Sequence, residues 1–445
     1  MALTALEIYK HLPKTNCREC NFPTCLAFAM QLAAKKASLD QCPYVSEEAK
    51  AALEGASAPP IRLVTIGRGE NKLEIGNETV LFRHEETFYH PTGVAIEVAD
   101  DLTDEELETA LERINGLRFE RVGTTIEIDL VALRNTSGDP ARFRQVVEKA
   151  VARSRYPLIL MSERAEALAS ALEVAKDGKP LLYAANRDNY EAFAALAKEN
   201  ACPLAVCGGG LEELADLTQK ITALGVQDLV LDPGSRELAQ MLADFTKIRR
   251  AALRKTFRPL GYPTIAFAAD GDPYQETMWA ATFVAKYAGI VVMKGTEPWQ
   301  ILPVLTARYN IYTNPQKPIQ VKPGVYEVGE ANENSPVLVT TNFSLTYYTV
   351  EGDVEASRVP SYIVVVDTEG TSVLTAYASE KLTAEKVAEM LQQEGGVKDK
   401  VAHRKVIIPG LVAVMTAKLK EASGWDVIVG PRESSGIPKL LRAWA

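Results

Sequence analysis

The chain has 445 residues, of which 47% are hydrophobic and 24% charged, and its formal net charge is −9. This composition is typical of a soluble globular protein and excludes a disordered or fibrous chain. Because the charges are interspersed and form no basic face, we expect no nucleic-acid partner. The N-terminus lacks a secretory-signal pattern, and apolar runs such as YIVVV are too short to span a bilayer. We therefore expect a cytoplasmic protein with no membrane partner, in which clustered cysteines bind a metal or act in catalysis.

Four of the six cysteines lie near the start of the chain, at Cys17, Cys20, Cys25 and Cys42. The first three form a C-x2-C-x4-C pattern. A loop with three thiolates plus one later thiolate is a common way to hold a cubane iron–sulfur cluster. Zinc is the alternative because it also takes four thiolates, but structural zinc sites usually present two C-x2-C knuckles and only one exists here. A third interpretation is four unrelated buried cysteines.

The cysteine motif is expected to lie on a small helical module. The stretch 24–39, TCLAFAMQLAAKKASL, has the alanine and leucine content of a helix. Thr24 is placed to cap this helix, and Lys35 and Lys36 suit its C-terminal turn. Small residues and prolines at 54–60 then indicate a linker.

Beyond this linker, strand-like runs alternate with helical stretches. The predicted strands are GVAIEV (93–98), TIEIDLVAL (125–133), PLILM (157–161), PLLYAA (180–185), PLAVC (203–207), DLVLD (228–232), PTIAFA (263–268) and GIVVM (289–293). Eight such units favour a (β/α)8 TIM barrel, with a doubly wound open sheet as the alternative. A β-hairpin is predicted at 62–82, and Thr103 with Glu106 indicates a helix capping box.

Polar residues follow several of the predicted barrel strands, where TIM barrels place their active sites. The candidates are Asn186, Asp188, Asp232, Asp270 and Asp272. No H-E-x-x-H, G-x-S-x-G or Walker motif accompanies them. Asp232 is read as a turn residue more readily than as a catalytic acid, and Cys202 and Cys207 as core residues at strand ends. The barrel is therefore interpreted as a scaffold or docking surface.

A polar, proline-rich segment at 313–336 is interpreted as a second linker. It precedes a second α/β pattern with strands at VLVTT, SYIVVVD, KVIIP and DVIVG. Each strand runs into a loop rich in Gly, Ser and Thr, at 340–348, 367–376, 408–414 and 430–436. Open α/β sheets bind ligands at the carboxyl ends of parallel strands, so these loops predict a site for a large polar ligand. Neither a G-x-G-x-x-G dinucleotide motif nor the D-x-H-x-x-G cobalamin motif is present.

Several of these motifs together resemble the family of corrinoid iron–sulfur protein large (gamma) subunits. They are LEIYKHLPKTNCRECNFPTCLAFAMQLAAKKASLDQCPYVS, NENSPVLVTTNFSLTYYTVEG, DTEGTSVLTAYA and VIVGPRESSGIP. The resemblance covers the whole chain and implies a three-part α/β architecture. Its parts are a helical [4Fe–4S] module at 1–57, a TIM barrel at 58–320 and a flavodoxin-like corrinoid-binding domain at 321–445.

The resemblance also implies which residues bind the cofactors. The cluster ligands correspond to Cys17, Cys20, Cys25 and Cys42. The corrinoid contacts correspond to Thr340, Thr341, Asn342, Ser344, Thr346, Gly370, Thr371, Ser372, Val373, Leu374, Thr375, Pro409, Gly410, Gly430, Pro431, Arg432, Glu433, Ser435 and Gly436. Because the D-x-H-x-x-G histidine is absent, cobalt is expected to have no protein histidine ligand, and Thr375 is predicted to face the vacant position.

The implied function is that of a methyl carrier in the anaerobic acetyl-CoA pathway rather than a stand-alone enzyme. A separate methyltransferase would pass the methyl group of methyltetrahydrofolate to the cobalt, which would deliver it to acetyl-CoA synthase. The cluster would return oxidised Co(II) to Co(I), and the chain would pair with a small subunit. Two alternatives stay open: a barrel methyltransferase that binds methyltetrahydrofolate itself, and an electron-transfer protein with flavin in its C-terminal domain.

Overall fold

A computed structural model of the chain describes residues 5–33, 37, 39–46, 49, 59–269, 271–314 and 318–444. The chain divides into two compact units. The first comprises Met1–Arg118 and Ile126–Tyr312, and the second Phe119–Thr125 and Thr313–Ala445. Among the described residues, no helix is both long enough and apolar enough to cross a membrane.

The elements of the described residues alternate between strand and helix through most of the chain. The α-helices are α1 (Ala5–His11), α2 (Cys25–Ala33), α3 (Asp104–Asn115), α4 (Pro140–Arg153), α5 (Ala165–Ala175), α6 (Tyr190–Glu199), α7 (Leu211–Ala223), α8 (Leu238–Lys255), α9 (Pro273–Ala285), α10 (Pro298–Tyr312), α11 (Ser344–Ser357), α12 (Val373–Ala378), α13 (Ala384–Gln392), α14 (Thr416–Ser423) and α15 (Ile437–Arg442). The strands are β1 (Val64–Ile66), β2 (Leu73–Ile75), β3 (Gly93–Ala99), β4 (Arg118–Arg121), β5 (Thr124–Glu127), β6 (Leu130–Arg134), β7 (Leu158–Met161), β8 (Leu181–Ala185), β9 (Leu204–Cys207), β10 (Leu229–Asp232), β11 (Ile265–Phe267), β12 (Ile290–Met293), β13 (Gly324–Val328), β14 (Val337–Thr341), β15 (Ser361–Val366), β16 (Lys405–Ile408) and β17 (Asp426–Val429).

The first unit contains a nearly closed, TIM-barrel-like sheet of eight parallel strands. The strand order is β10-β9-β8-β7-β6-β3-β12-β11. Between the terminal strands β10 and β11 the contact is a single bridge, Leu231 to Thr264, supported by a 2.8 Å hydrogen bond from Leu231 N–H to the Pro263 carbonyl. The strands are short and rich in Val, Ile and Leu because both of their faces are buried. The predicted barrel is thus confirmed, and the open doubly wound sheet is not formed in this part of the chain.

The predicted hairpin before the barrel is present as the antiparallel pair β1–β2, with Val64 opposite Ile75. Ile66 and Ile75 are fully buried and pack in the same apolar cluster as the interior residues of the barrel strands. The Gly67 N–H donates to the carbonyl of Lys179, just before β8, at 3.0 Å. The hairpin therefore covers the amino-terminal end of the barrel, opposite the end where ligands usually bind.

Two strand predictions need correction. TIEIDLVAL was predicted as one strand, but it forms two: β5, which pairs with β4 in a separate two-stranded sheet, and β6, which belongs to the barrel. The segment 313–336 was interpreted as a linker, but it contains β13, which pairs antiparallel with β15. The Lys35–Lys36 pair and Asp270 lie outside the described residues.

The second unit contains a five-stranded sheet of order β13-β15-β14-β16-β17, in which all pairs except β13–β15 are parallel. Its side chains alternate between two cores because successive residues in a strand face opposite sides. Val337 and Val339 pack against α12, α13 and α14, whereas Leu338 packs with Tyr347 of α11 and Leu441 of α15. Helices therefore cover both faces. The helix after β14 and the helix after β16 lie on opposite faces, which opens a crevice between these strands at their carboxyl ends.

Candidate functional site

Cys17 and Cys20 lie in the loop between α1 and α2, Cys25 begins α2, and Cys42 follows α2 in the chain. Cys20, Cys25 and Cys42 are buried in one small core with Ile8 and Phe28, and Cys17 is exposed. The helix beginning at Cys25 is capped by Thr24, whose hydroxyl accepts the Ala27 N–H at 3.0 Å, as predicted. Asn16, Arg18 and Asn21 have positive φ angles, so the chain turns sharply several times near Cys17 and Cys20.

Hydrogen bonds fix Cys25, and the chain just after Cys42, relative to the loop between α1 and α2. The Cys25 N–H donates to Asn16 Oδ1 at 2.8 Å, and the Asn16 N–H donates to Cys25 Sγ at 3.4 Å. The Tyr44 hydroxyl donates to Glu19 at 2.8 Å, so the chain after Cys42 is tied to the turn between Cys17 and Cys20. Hydrogen bonds to sulfur are among the features that adjust the potential of thiolate-ligated clusters.

The electrostatics show that the four thiols are close enough to act on one another. Burial raises the pKa of Cys42, the Tyr44 backbone N–H lowers it, and the negative charges of Cys20, Cys17 and Cys25 raise it further. Repulsion of this kind favours a positively charged ligand at the centre of the group. Within the described part of the chain, no three or more His, Cys, Asp or Glu side chains converge closely enough to hold a single metal ion. Four cysteine thiolates are the usual ligand set of an iron–sulfur cluster.

The predicted corrinoid residues gather at the carboxyl edge of the second sheet, around the crevice between β14 and β16. A cavity of about 230 Å³ opens there. Nine of the predicted residues line it: Thr340, Thr346, Ser372, Val373, Leu374, Pro409, Gly430, Pro431 and Arg432. Gly410, Glu433, Ser435 and Gly436 lie in the adjoining loops, and Thr375 is exposed on α12 beside the crevice.

Three predicted contact residues are instead buried behind the crevice. Thr341, Asn342 and Ser344 are almost completely inaccessible. Asn342 Oδ1 accepts the N–H groups of Thr368 and Gly370 and the Thr368 hydroxyl, each at 3.0 Å. This side chain therefore holds the loop 367–371, which contains Gly370 and Thr371, in place beside the crevice.

The crevice carries two features typical of a ligand site. The hydroxyl oxygens of Thr340 and Thr341 are buried at the end of β14 without a hydrogen-bond partner, which is costly unless a ligand or water supplies one. The loops after β16 and β17 also approach each other so closely that only glycine fits, because a Cβ on Gly410 would lie 2.5 Å from the Gly430 carbonyl oxygen. Backbone groups are thus presented at the surface of the crevice.

Exposed apolar side chains surround the same edge of the sheet. Leu345, Leu374, Tyr377, Val414 and Val429 are between 40% and 74% exposed. A group of this kind on one edge is typical of a surface that contacts a large flat ligand or a partner.

The polar residues predicted at the ends of the barrel strands do not share one environment. Asp272 caps α9 through the Tyr274 N–H, and Asp188 is exposed. Asp232 is completely buried, and its Oδ1 accepts the Gly234 N–H at 2.8 Å, as a turn residue does. Asp232 also pairs with Arg236, a partner that the sequence analysis missed. The sequence analysis also passed over Glu97 and Arg134. Charged residues such as these are unusual in otherwise apolar barrel strands, and this was the signal that could have indicated a polar site at this end of the barrel.

The fold and these sites define a modular α/β protein that joins a four-thiol helical module and a TIM-barrel-like sheet to a doubly wound sheet with a ligand crevice. A family model described as "CO dehydrogenase/acetyl-CoA synthase delta subunit" matches residues 63–441, and one described as "Putative Fe-S cluster" matches residues 12–44. The chain is 54% identical to the corrinoid/iron-sulfur protein large subunit of Moorella thermoacetica, covering 100% of this chain and 99% of that one.

A second relative is the acetyl-CoA decarbonylase/synthase complex subunit gamma of Methanothermobacter thermautotrophicus, at 42% identity over 99% of both chains. The chain therefore belongs to the family of corrinoid/iron-sulfur protein large subunits and acetyl-CoA decarbonylase/synthase gamma subunits. Among solved structures, the 7,8-dihydropteroate synthase of Vibrio fischeri aligns with a TM-score of 0.38 and 15% identity, over 51% of this chain and 95% of that one.

Proposed function

We propose that this chain is a methyl carrier that holds a corrinoid in its C-terminal part and a [4Fe–4S] cluster in its N-terminal module. The corrinoid supplies a cobalt centre that accepts and releases a methyl group, and the cluster supplies the electron that restores this centre after oxidation. The proposed division is a cluster module at 1–57, a barrel at 58–320 and a flavodoxin-like corrinoid domain at 321–445.

The crevice of the second sheet is the observation that carries this proposal. The parallel strands have the order β15-β14-β16-β17, which corresponds to the first four strands of a flavodoxin-like sheet. The cavity of about 230 Å³ is too small for a whole corrinoid and would hold only one of its smaller groups. The corrin ring itself would therefore lie outside the cavity, against the exposed apolar side chains. The unpartnered hydroxyl of Thr340, which lines the cavity, is available for a polar group of the part of the corrinoid that enters it.

The names of the relatives support a proposal about the partners of this chain. Its Moorella thermoacetica relative is called a large subunit, and the archaeal relatives are subunits of a decarbonylase/synthase complex. We propose that this chain pairs with a small subunit of the corrinoid iron–sulfur protein, receives its methyl group through a methyltetrahydrofolate methyltransferase, and serves acetyl-CoA synthase.

The decisive experiment is metal analysis of anaerobically purified, corrinoid-replete protein together with its optical spectrum. We expect about four irons and one cobalt per chain, with cobalt lost when residues 321–445 are removed. Zinc without cobalt would contradict the proposal. Bound flavin without cobalt would favour the electron-transfer alternative, and methyltetrahydrofolate binding by this chain alone would favour the methyltransferase alternative.

The cysteine assignment has a matched control within the chain. Cys42→Ser should lower the iron content and the absorbance of the cluster, because it removes one of the four thiolate ligands. Cys207→Ser changes a cysteine at the end of β9 in the barrel and should leave the iron content unchanged. Equal iron loss in both variants would contradict the assignment.

The proposed absence of a histidine ligand to cobalt is tested at Thr375. This residue is exposed on α12 at the edge of the crevice, where its hydroxyl contacts that of Ser372 at 3.2 Å. Thr375→His should make cobalt(II) harder to reduce, since an imidazole ligand stabilises the higher oxidation states. The midpoint potential measures this effect, with Thr383→His, at the cap of α13, as the control. An unchanged potential in Thr375→His would place Thr375 away from cobalt.

A further inference from the structure

The carboxyl end of the barrel contains a cavity of about 1050 Å³ that shares no lining residue with the crevice of the second sheet. We call it the barrel mouth. Residues at the ends of several strands line it, together with Trp279 of α9, and they include Arg134, Met161, Tyr183, Arg236 and Phe267. TIM barrels bind their ligands at this end of the sheet.

One side of the barrel mouth is formed by an ion pair between neighbouring strands. Arg134 Nε donates to Glu97 Oε1 at 2.9 Å, and Arg134 Nη2 donates to Glu97 Oε2 at 2.8 Å. The Arg134 side chain is 40% exposed, whereas that of Glu97 is 8% exposed. The carboxylate therefore fixes the guanidinium from behind, and the positive group faces the cavity.

The opposite side is formed by a second pair with the same arrangement. Arg236 Nη1 and Nη2 donate to the two oxygens of Asp232 at 3.0 and 2.8 Å, and the Tyr183 hydroxyl donates to Asp232 at 2.5 Å. Asp232 is completely buried, but Arg236 is 46% exposed. The Arg236 guanidinium also lies over the Phe267 ring, 4.8 Å from its centre, in a cation–π contact.

Both guanidinium groups line the same cavity. The hydrogen bonds that Arg134 donates to Glu97 raise the pKa of Arg134, while burial and, more weakly, the charge of Arg236 lower it. Such repulsion is relieved by an anion between the two groups. A third acidic side chain of the lining, Glu276, is buried and engaged by the backbone N–H groups of Lys294 and Gly295, so it is not a free charge in the cavity.

The rim adds charges of both signs. Glu163, Arg164 and Glu237 line the opening and are exposed. Arg164 donates to Glu166 at 3.1 Å, outside the cavity. The rest of the lining is mixed: Met161, Phe267, Trp279 and Val292 give it an apolar part, and Asn135, Ser162, Asn186 and Gln275 are among its polar residues.

We propose that the barrel mouth binds a small organic oxyanion, a carboxylate or a phosphate ester, with an aromatic body. Arg134 and Arg236 bind the oxyanion, and the aromatic part lies against Phe267 and Trp279. Fixed, paired guanidinium groups suit oxyanions because their donors match the geometry of carboxylate and phosphate. Its residues are not among those proposed to hold the cluster or the corrinoid, and the inference does not rest on the proposed function.

Four probes with the same ring and different charge test the proposal on the purified full chain. They are benzoate, phenyl phosphate, neutral benzamide and cationic benzamidine. Binding is followed by calorimetry and by quenching of tryptophan fluorescence, and Trp279→Phe should remove most of the quenching. We expect at least one anion to bind with a dissociation constant near or below about 1 mM, and about tenfold more tightly than either other class of probe. The better of the two anions identifies the oxyanion class.

A charge-neutral variant tests the role of the arginine. Glu97→Gln with Arg134→Gln removes both charges of one pair while retaining amide groups that can hydrogen-bond to each other. It should weaken anion binding about tenfold, the effect expected from losing a charge-assisted hydrogen bond. The control is Arg113→Gln with Glu297→Gln, which neutralises an exposed pair on the outside of the barrel at 3.1 Å and should change nothing.

Three results would overturn the proposal: no anion binding, equal binding of all four probes, or unchanged affinity in the Glu97–Arg134 variant. The first two come from the native protein, so they decide the matter even if a variant fails to fold.

Discussion

Asn342 shows how a residue predicted to contact a ligand can act by organising the loop beside it. Its side chain is almost completely buried and accepts three hydrogen bonds from the segment Thr368–Gly370. Its amide group donates to Gln320 at 3.2 Å and to Asp367 at 3.1 Å. One side chain therefore connects the end of β14 to the loop after β15 and to the segment before β13.

Asn342→Ala should destabilise the second unit by about 3 kcal/mol, because it leaves buried donors without a partner. Urea unfolding followed by the fluorescence of Trp425 and Trp444 measures the change. Asn332→Ala is the control, since Asn332 is exposed and accepts a single loop hydrogen bond from Asn334 N–H at 2.9 Å. A loss of less than about 1 kcal/mol in Asn342→Ala, similar to the control, would contradict the organising role.

At the scale of elements, the alternation of strands and helices was readable because apolar runs and helix caps are local features. The barrel strands, the hairpin β1–β2 and the cap of α3 all follow from such local patterns. β13 could not be predicted in the same way, since a polar edge strand depends on pairing with β15. The division of TIEIDLVAL likewise depends on β4, a partner that carries no strong strand signal.

The candidate sites, like the strands, could be predicted from the sequence only where the signal is local. The cysteine spacing and the Gly-, Ser- and Thr-rich loops identified regions of the chain that the fold groups together. Which side chains face the crevice was not predictable, because Thr340 and Thr341 are neighbours and yet only Thr340 lines the cavity. The pairing of Arg134 with Glu97 depends on the register of β3 and β6, which the sequence alone does not specify.

The cap of α3 gives a prediction at this scale. The Thr103 hydroxyl accepts the Glu106 N–H at 3.3 Å, and Glu106 Oε2 accepts the Thr103 N–H at 2.9 Å. Thr103→Ala should lower the free energy of unfolding by about 1 kcal/mol, the usual effect of losing such a cap. Thermal unfolding measures the change, and Thr109→Ala, inside the same helix, is the control. Equal effects of the two substitutions would argue against the cap.

The same cap predicts a pH dependence. The backbone hydrogen bond from Thr103, and then its hydroxyl, lower the pKa of Glu106 in the folded state. For an acid with a lowered folded pKa, the stabilisation is complete above the unfolded value of about 4.3 and is lost as the pH falls through the folded value. The stability difference between wild type and Glu106→Gln should therefore be present at neutral pH and shrink below about pH 4. Glu105→Gln, in the same helical turn but outside the cap, should show a smaller difference at neutral pH.

At the scale of the whole molecule, the β4–β5 hairpin shows that compact units need not be continuous in sequence. Residues 119–125 are inserted between α3 and β6 of the barrel sequence but belong to the C-terminal unit. The turn residues Val122 and Gly123 both have positive φ, at 49° and 68°, as a two-residue hairpin turn requires. A Cβ added to Gly123 would lie 1.7 Å from the hydroxyl oxygen of Tyr348 on α11.

Gly123→Ala should therefore destabilise the C-terminal unit through two effects. The left-handed backbone costs about 1–2 kcal/mol for a residue with a Cβ, and displacement of the Tyr348 ring costs about 1–3 kcal/mol more. Gly138→Ala isolates the first effect, because Gly138 has a φ of 69° and open space around it. Hydrogen exchange of β14 and β15 reports the stability of the C-terminal unit.

A double-mutant cycle separates contact with Tyr348 from backbone strain. The Tyr348 ring packs edge-on against Tyr347, with ring centres 5.0 Å apart, so the ring cannot move without disturbing the core of this unit. In a Tyr348→Ala background, Gly123→Ala should lose the packing effect and cost only the strain, about 1–2 kcal/mol. If Gly123→Ala costs the same with and without the tyrosine ring, the hairpin tip is not packed on α11. If the cost falls as expected, a segment inserted in the barrel sequence contributes to the stability of the unit that contains the ligand crevice.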